Sequence, residues 1–274
     1  MPASPGMQPF ICATCGTQFA PSEKAPAACP ICEDERQYVP ASGQRWTTLE
    51  AMRGAYLNAW RRYEPNLLGV GTTPSFAIGQ RALLLSTPGG NILWDCITLI
   101  DDVTVDIIKS LGGIRAIAIS HPHYYSCMVE YAHALGATVW LHEGDRDHVM
   151  RPDASIRFWS GETHMLWDGI TLINAPGHFD GATMLHWPAG AGGRGALLSG
   201  DIFQVVPSKT LSFMRSYPNL IPLPAQTVRR MDALVQPFSY DRIYGAWWDR
   251  NVLTDAKAAV HRSAERYKRH VSGW

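Results

Sequence analysis

The chain lacks any net charge: 24 Lys and Arg stand against 24 Asp and Glu. With the pI near 7.1, there is no electrostatic case for a nucleic-acid or anionic-membrane partner. No run of 18 apolar residues occurs, so no bilayer-spanning helix is expected. The opening Met1-Pro-Ala-Ser-Pro-Gly has neither the basic nor the apolar part of a secretory signal, which makes a cytoplasmic location the expectation. What remains is an enzyme- or binding-class protein with a small-molecule partner and an open oligomeric state. Its 274 residues leave room for a small module over 8–40, a linker near 42–46 and one larger domain over 47–274.

Cysteine is scarce, but four of the six residues are paired. Cys12-x-x-Cys15 and Cys29-x-x-Cys32 are separated by 13 residues, with Gly16 after the first pair and Pro30 inside the second. Two such knuckles set four thiolates around a tetrahedral zinc. A disulfide framework and a rubredoxin-type iron (Cys-Pro-Ile-Cys) are the alternatives. Paired spacing without a signal sequence favours structural zinc. A stretch of about 35 residues buries too little apolar surface to fold unaided, so the metal would supply most of its folding energy. Cys96 and Cys127 fit no pattern and read as buried, reduced thiols.

Four further residues stand at the ends of stretches that read as short buried strands: His121 and His123 in Ser-His-Pro-His, His178 in Pro-Gly-His, and Asp201 in Ser-Gly-Asp. Strand ends are where αβ folds gather their chemistry. Three imidazoles with an open position suit a catalytic zinc. His121, His178 and Asp201 alone would make the facial triad of a non-haem iron oxygenase. His133, His148, His164, His186, His261 and His270 stand alone and read as surface or hydrogen-bonded core residues.

In order and spacing, residues from about 66 to 250 resemble the metallo-β-lactamase fold superfamily. Its first Asp matches Asp95 in Asn-Ile-Leu-Trp-Asp-Cys. Its His-x-His-x-Asp-His motif matches His121-Pro-His123-Tyr124-Tyr125-Ser126, its third histidine His178, and its metal-bridging Asp matches Asp201. The resemblance implies an α/β fold, a four-layer αββα sandwich, here with an N-terminal zinc-ribbon module. It also implies a first-metal site of His121, His123 and His178, with one Zn or Fe in the pocket. Of the second-metal ligands Asp201 alone is kept, because Tyr125, Ser126 and Trp247-Trp248 occupy the other places.

Tyr125 and Asp201 are therefore the candidate catalytic residues. A phenol of pKa near 10 is a poor general base, but it can donate to a developing oxyanion. Asp95 and His142 are placed as outer groups that would orient ligands. Phe203, Phe213, Met214, Arg215 and Tyr217 on the long segment after Asp201, together with Trp247, are candidates to touch substrate. Packing of that segment by its own aromatics is the alternative. Periodicity predicts a helix from a Thr47/Glu50 capping box through Leu49, Met52, Tyr56, Ala59, Trp60 and Tyr63 to Pro65. A strand is predicted at Ser75–Ile78, and a helix capped by Ser126. The sequence supports three functions: a mononuclear metal-dependent hydrolase of a small ester, thioester or amide; an iron-dependent sulfur dioxygenase-like enzyme; or a non-catalytic ligand- or partner-binding member of the fold.

Overall fold

The computed structural model describes residues 6–272. Most of the Met1–Gly6 stretch, and the last two residues of the domain expected over 47–274, lie outside the described residues. The fold is mixed α/β, and the chain forms two compact units. The first comprises Met1–Leu141 with Arg146–Phe158, the second His142–Asp145 with Trp159–Trp274.

The first unit is built on a seven-stranded sheet. Its order is Leu57–Glu64, Leu67–Thr73, Arg81–Leu85, Ile92–Trp94, Ala116–Ala118, Thr138–His142 and Ile156–Trp159. The first four strands run antiparallel, whereas Ile92–Trp94, Ala116–Ala118 and Thr138–His142 run parallel. Parallel neighbours need crossover connections, and helices Asp102–Ser110 and Met128–Leu135 supply them. Ile92–Trp94 and Ala116–Ala118 are buried throughout, as strands covered on both faces must be. Helix Asp102–Ser110 begins where the Asp101 side chain accepts the Thr104 N–H at 2.7 Å.

Residues 8–40 belong to this unit. Strand Ile11–Cys12 pairs with Trp46–Thr47, and the short helix Pro30–Glu33 carries Cys32. Phe19 and Ile31 are buried against the four cysteines, with Trp46, Ile78 and Met150 packed around them.

The second unit has a six-stranded sheet in the order Thr163–Met165, Thr171–Asn174, Thr183–Trp187, Ala196–Gly200, Arg242–Gly245 and Asn251–Val252. Helices Ala225–Val235 and Ala256–Val271 share one apolar core with it, in which Ile173, Met184, Leu197, Val228, Met231 and Val260 are buried.

Three sequence expectations fail. The helix over 49–63 is confined to Leu49–Met52, capped by Thr48 (Oγ1 accepts the Ala51 N–H at 3.2 Å), while Thr47 is paired in a strand. Gly54 turns the chain at φ +77°, and Leu57–Glu64 becomes a strand paired along its length with Leu67–Thr73. The ladder to that neighbour outweighs the local helical periodicity of Tyr56, Ala59, Trp60 and Tyr63. The strand expected at Ser75–Ile78 is a turn, with Ala77 and Gly79 at positive φ. Ser126 is not an N-cap: it sits at φ +43°, and helix Met128–Leu135 starts from Cys127.

Candidate metal centre

His121 and His123 are delivered by the carboxyl end of strand Ala116–Ala118. The neighbouring parallel strand Ile92–Trp94 ends in Asp95, whose N–H donates to the Ala118 carbonyl at 2.8 Å. Asp95 itself takes the left-handed conformation, φ +60°, and its Oδ1 accepts the Ser120 N–H at 2.8 Å. A buried carboxylate thus fixes the backbone immediately before His121. Pro122, with its preset φ, then opens a single 3-10 turn, Pro122–Tyr124, that brings His123 round to the same side as His121. The two imidazoles meet edge to face with centroids 5.1 Å apart. Ser120 Oγ lies 2.9 Å from His121 Nδ1, and the Tyr124 ring covers His121 at 4.4 Å. Ser120 and Tyr124 were not marked by the motif, because their roles come from this turn rather than from spacing.

His178 follows strand Thr171–Asn174. Close approach favours Gly177 there: a Cβ would meet Leu223, Thr227 and Met231 side-chain atoms at 3.0 to 3.4 Å. Phe179 is anchored in the second unit's core, and Asn174 Nδ2 donates to the Asp180 and Ala182 carbonyls, closing the loop. His178 Nδ1 lies 2.8 Å from the Arg215 carbonyl and 3.2 Å from that of Met214. Both partners are acceptors, so Nδ1 carries the proton and Nε2 keeps its lone pair. That is the tautomer a metal needs, held by the outer-shell carbonyls that usually orient ligating histidines.

His121, His123 and His178 each offer one ligand atom, and those atoms lie within 4.8 Å of one another. All three side chains are buried. Three imidazole nitrogens at this separation, one with its Nδ1 committed to carbonyls, fit a single transition-metal ion. Among the described residues this converging group is made of imidazoles alone.

Asp201 follows strand Ala196–Gly200 and is 4% exposed. Its carbonyl accepts the Tyr217 hydroxyl at 2.6 Å, and the Tyr217 ring stands 5.7 Å from that of His178. Burial, then the Asp201 charge, pushes the Tyr217 phenol well up, so it stays a neutral donor committed to that carbonyl. Met214 presents its backbone to His178, and Trp247 lies half-buried in the turn after strand Arg242–Gly245. Phe213 cannot touch substrate. It is fully buried in the second unit's core, between Phe203 at 5.5 Å and Tyr267 at 5.4 Å, and Phe203 is equally buried. Tyr125 is 2% exposed and lines a small cavity with Thr17, Gln18 and Ser126. His142 spends both nitrogens locally, Nδ1 on the Gly144 N–H and Nε2 near the Gly161 carbonyl, with its ring against Trp159.

The four cysteines are free thiols and also lie within 4.8 Å of one another. The Cys12–Cys32 and Cys15–Cys29 sulfur separations are 3.6 and 3.7 Å. A tetrahedron with metal–sulfur distances of about 2.3 Å has edges of about 3.8 Å, so the cluster is already of metal-binding size. Hydrogen bonds from Cys15, then Cys29 and Cys32, push the Cys12 thiol far down, and the same sharing pushes Cys15 and Cys32 up. Gln44 Nε2 donates to Cys12 Sγ at 3.1 Å. Four buried sulfurs can all be thiolates only with a cation among them.

No family model matches the chain. It is 49% identical over 261 residues to the Bacillus subtilis (strain 168) protein YmaE, described as uncharacterized, covering 94% of this chain and 95% of YmaE. Among solved structures it resembles the DIM-1 metallo-β-lactamase exposed to ceftazidime (TM-score 0.58, 12% identity, 76% of this chain and 97% of that one). A B3 metallo-β-lactamase with an active-site glutamic acid matches at TM-score 0.54 and 18% identity, over 78% of this chain and 88% of that one. The SMB-1 metallo-β-lactamase in complex with mercaptoacetic acid matches at TM-score 0.52 and 20% identity, over 74% and 91%. At these identities the likeness is one of fold.

Proposed function

We propose, from the premise that this chain belongs to the family of Bacillus subtilis YmaE and has the metallo-β-lactamase fold, that it is a mononuclear metal-dependent hydrolase of a small ester, thioester or amide. The observation that carries this reading is the convergence of three buried imidazole ligand atoms within 4.8 Å. A cation at such a site supplies Lewis acidity, polarising a carbonyl and lowering the pKa of water to about 7. His178 is held with its proton on Nδ1, and Asp95 through Ser120 N–H fixes the approach of His121. Tyr217 holds the Asp201 backbone through its hydroxyl, and Asp201 is the residue assigned to receive a proton. The imidazole-only composition of the cluster favours this reading over an iron site built on two histidines and a carboxylate.

The test is metal analysis joined to turnover. Purified full-length protein should carry metal on the cysteines and a second ion on the histidines. It should cleave members of an ester, thioester and amide panel, lose that activity on chelation and regain it on metal return. A protein with both sites filled that hydrolyses nothing across the panel would sink the hydrolase assignment.

A further inference from the structure

The cysteine module touches the histidine loop directly. Gly16, the residue after the first knuckle, sits at φ +82°, where a Cβ would strike Thr98 Oγ1 at 2.5 Å and reach Ser126 Oγ at 3.8 Å. Thr98 Oγ1 donates to the Gly16 carbonyl at 3.1 Å, and Gln18 N–H donates to the Ser126 carbonyl at 3.0 Å. Ser126 closes the 121–126 motif, held at φ +43° while its Oγ accepts Gln80 Nε2 at 3.0 Å. Gln18 Nε2 also donates to Glu130 on the following helix, and Arg151 bonds both Glu130, at 2.6 Å, and Gln18. Beside this contact lies a cavity of about 10 Å³, room for about one water, lined by Thr17, Gln18, Tyr125 and Ser126. Few residues separate this seat from the ligands, and Pro122 makes the segment between them a tight turn.

Four buried thiolates come together only around a cation, so the shape of the two knuckles depends on the metal they would hold. We propose that the four-cysteine cluster is a metal-dependent strut for the histidine loop, with Gly16 and Gln18 as positioning residues, so that filling the cysteines raises metal affinity at His121, His123 and His178. This rests on the reading of those histidines as a metal site. Coupling of this kind is reciprocal, so metal at the histidines should also tighten the cysteine site.

Cobalt(II) titration of metal-stripped, full-length protein reads both sites at once. Thiolate-to-cobalt charge transfer reports the cysteines, and weaker visible bands report the imidazole site. In the unaltered protein both signals should develop, and His178→Ala should erase the second while sparing the first. Gly16→Ala keeps all four cysteines, and Cys15→Ser removes one. Each should weaken cobalt binding at the histidines about tenfold or more, the range expected for loss of an orienting partner. Equal histidine-site affinity in both variants would overturn the strut while leaving the hydrolase site intact. No histidine-site cobalt in the unaltered protein, with the cysteines filled, would overturn the site reading and the strut with it. Should either variant fail to fold, hydrogen exchange in the unaltered chain decides the matter. Amides of residues 121–127 should exchange at least tenfold more slowly once the cysteines are filled, and unchanged protection overturns the proposal.

Discussion

His178→Ala removes an imidazole whose Nδ1 faces two backbone carbonyls and which offers one of three converging ligand atoms. The cost therefore has a metal-independent and a metal-dependent part. Without metal, the Met214 and Arg215 carbonyls lose the His178 donor, and loss of a part-buried hydrogen bond costs roughly 0.5–1.5 kcal/mol. With metal at about 100 times its dissociation constant, the intact site gains about 2.7 kcal/mol over the unfolded chain, and the variant forfeits that gain. For a chain of this length, about 2–4 °C per kcal/mol converts the second part to a rise of about 5–10 °C in melting temperature on metal addition. Calorimetric scans with the histidine site emptied and refilled, the cysteines loaded throughout, separate the two contributions. The parent protein should rise by that amount and His178→Ala should not, while elemental analysis loses one ion per chain. An equal rise in both, or an unchanged metal count, refutes the site.

Asp95→Ala leaves the buried Ser120 N–H without its acceptor, so about 1–3 kcal/mol of stability and a 10–100-fold fall in histidine-site affinity are expected. A variant matching the parent in cobalt titration would contradict a positioning role. Phe213→Ala should cost about 3–5 kcal/mol by urea unfolding, as a buried aromatic in the core does, and leave KM unchanged at permissive temperature. A shifted KM with unchanged stability would return Phe213 to the substrate. Burial pushes the His186 imidazole below its usual pKa, while its Nε2 donates to the Ser239 carbonyl at 2.8 Å. The unfolded chain therefore takes up a proton near pH 6.5 that the folded one resists, and stability falls as pH drops below that value. His186→Gln should flatten the fall between about pH 7 and 5.5 in chemical denaturation, and an unaltered slope would assign it to other groups.

Much of this protein was readable along the chain because local chemistry decided it. Two Cys-x-x-Cys knuckles of compatible spacing bring their sulfurs to 3.6 and 3.7 Å by short-range geometry. The apolar runs before His121, His178 and Asp201 become strands because their β-branched and aliphatic residues can be buried. Other features were set only when distant segments met. Leu57–Glu64 is a strand because Leu67–Thr73 pairs with it, whereas its own periodicity reads as helix. Ser126 looks like a helix cap until Gln80 and Gln18, remote in the chain, claim its hydroxyl and carbonyl. Phe213 and Tyr217 stand four residues apart with nothing local to separate them, yet one is sealed in the core and the other holds the Asp201 backbone. Sequence thus determined which side chains could serve as ligands. Tertiary structure decided which of them converge, in which tautomer, and on what support, because those properties belong to carbonyls and packing contacts contributed from far along the chain.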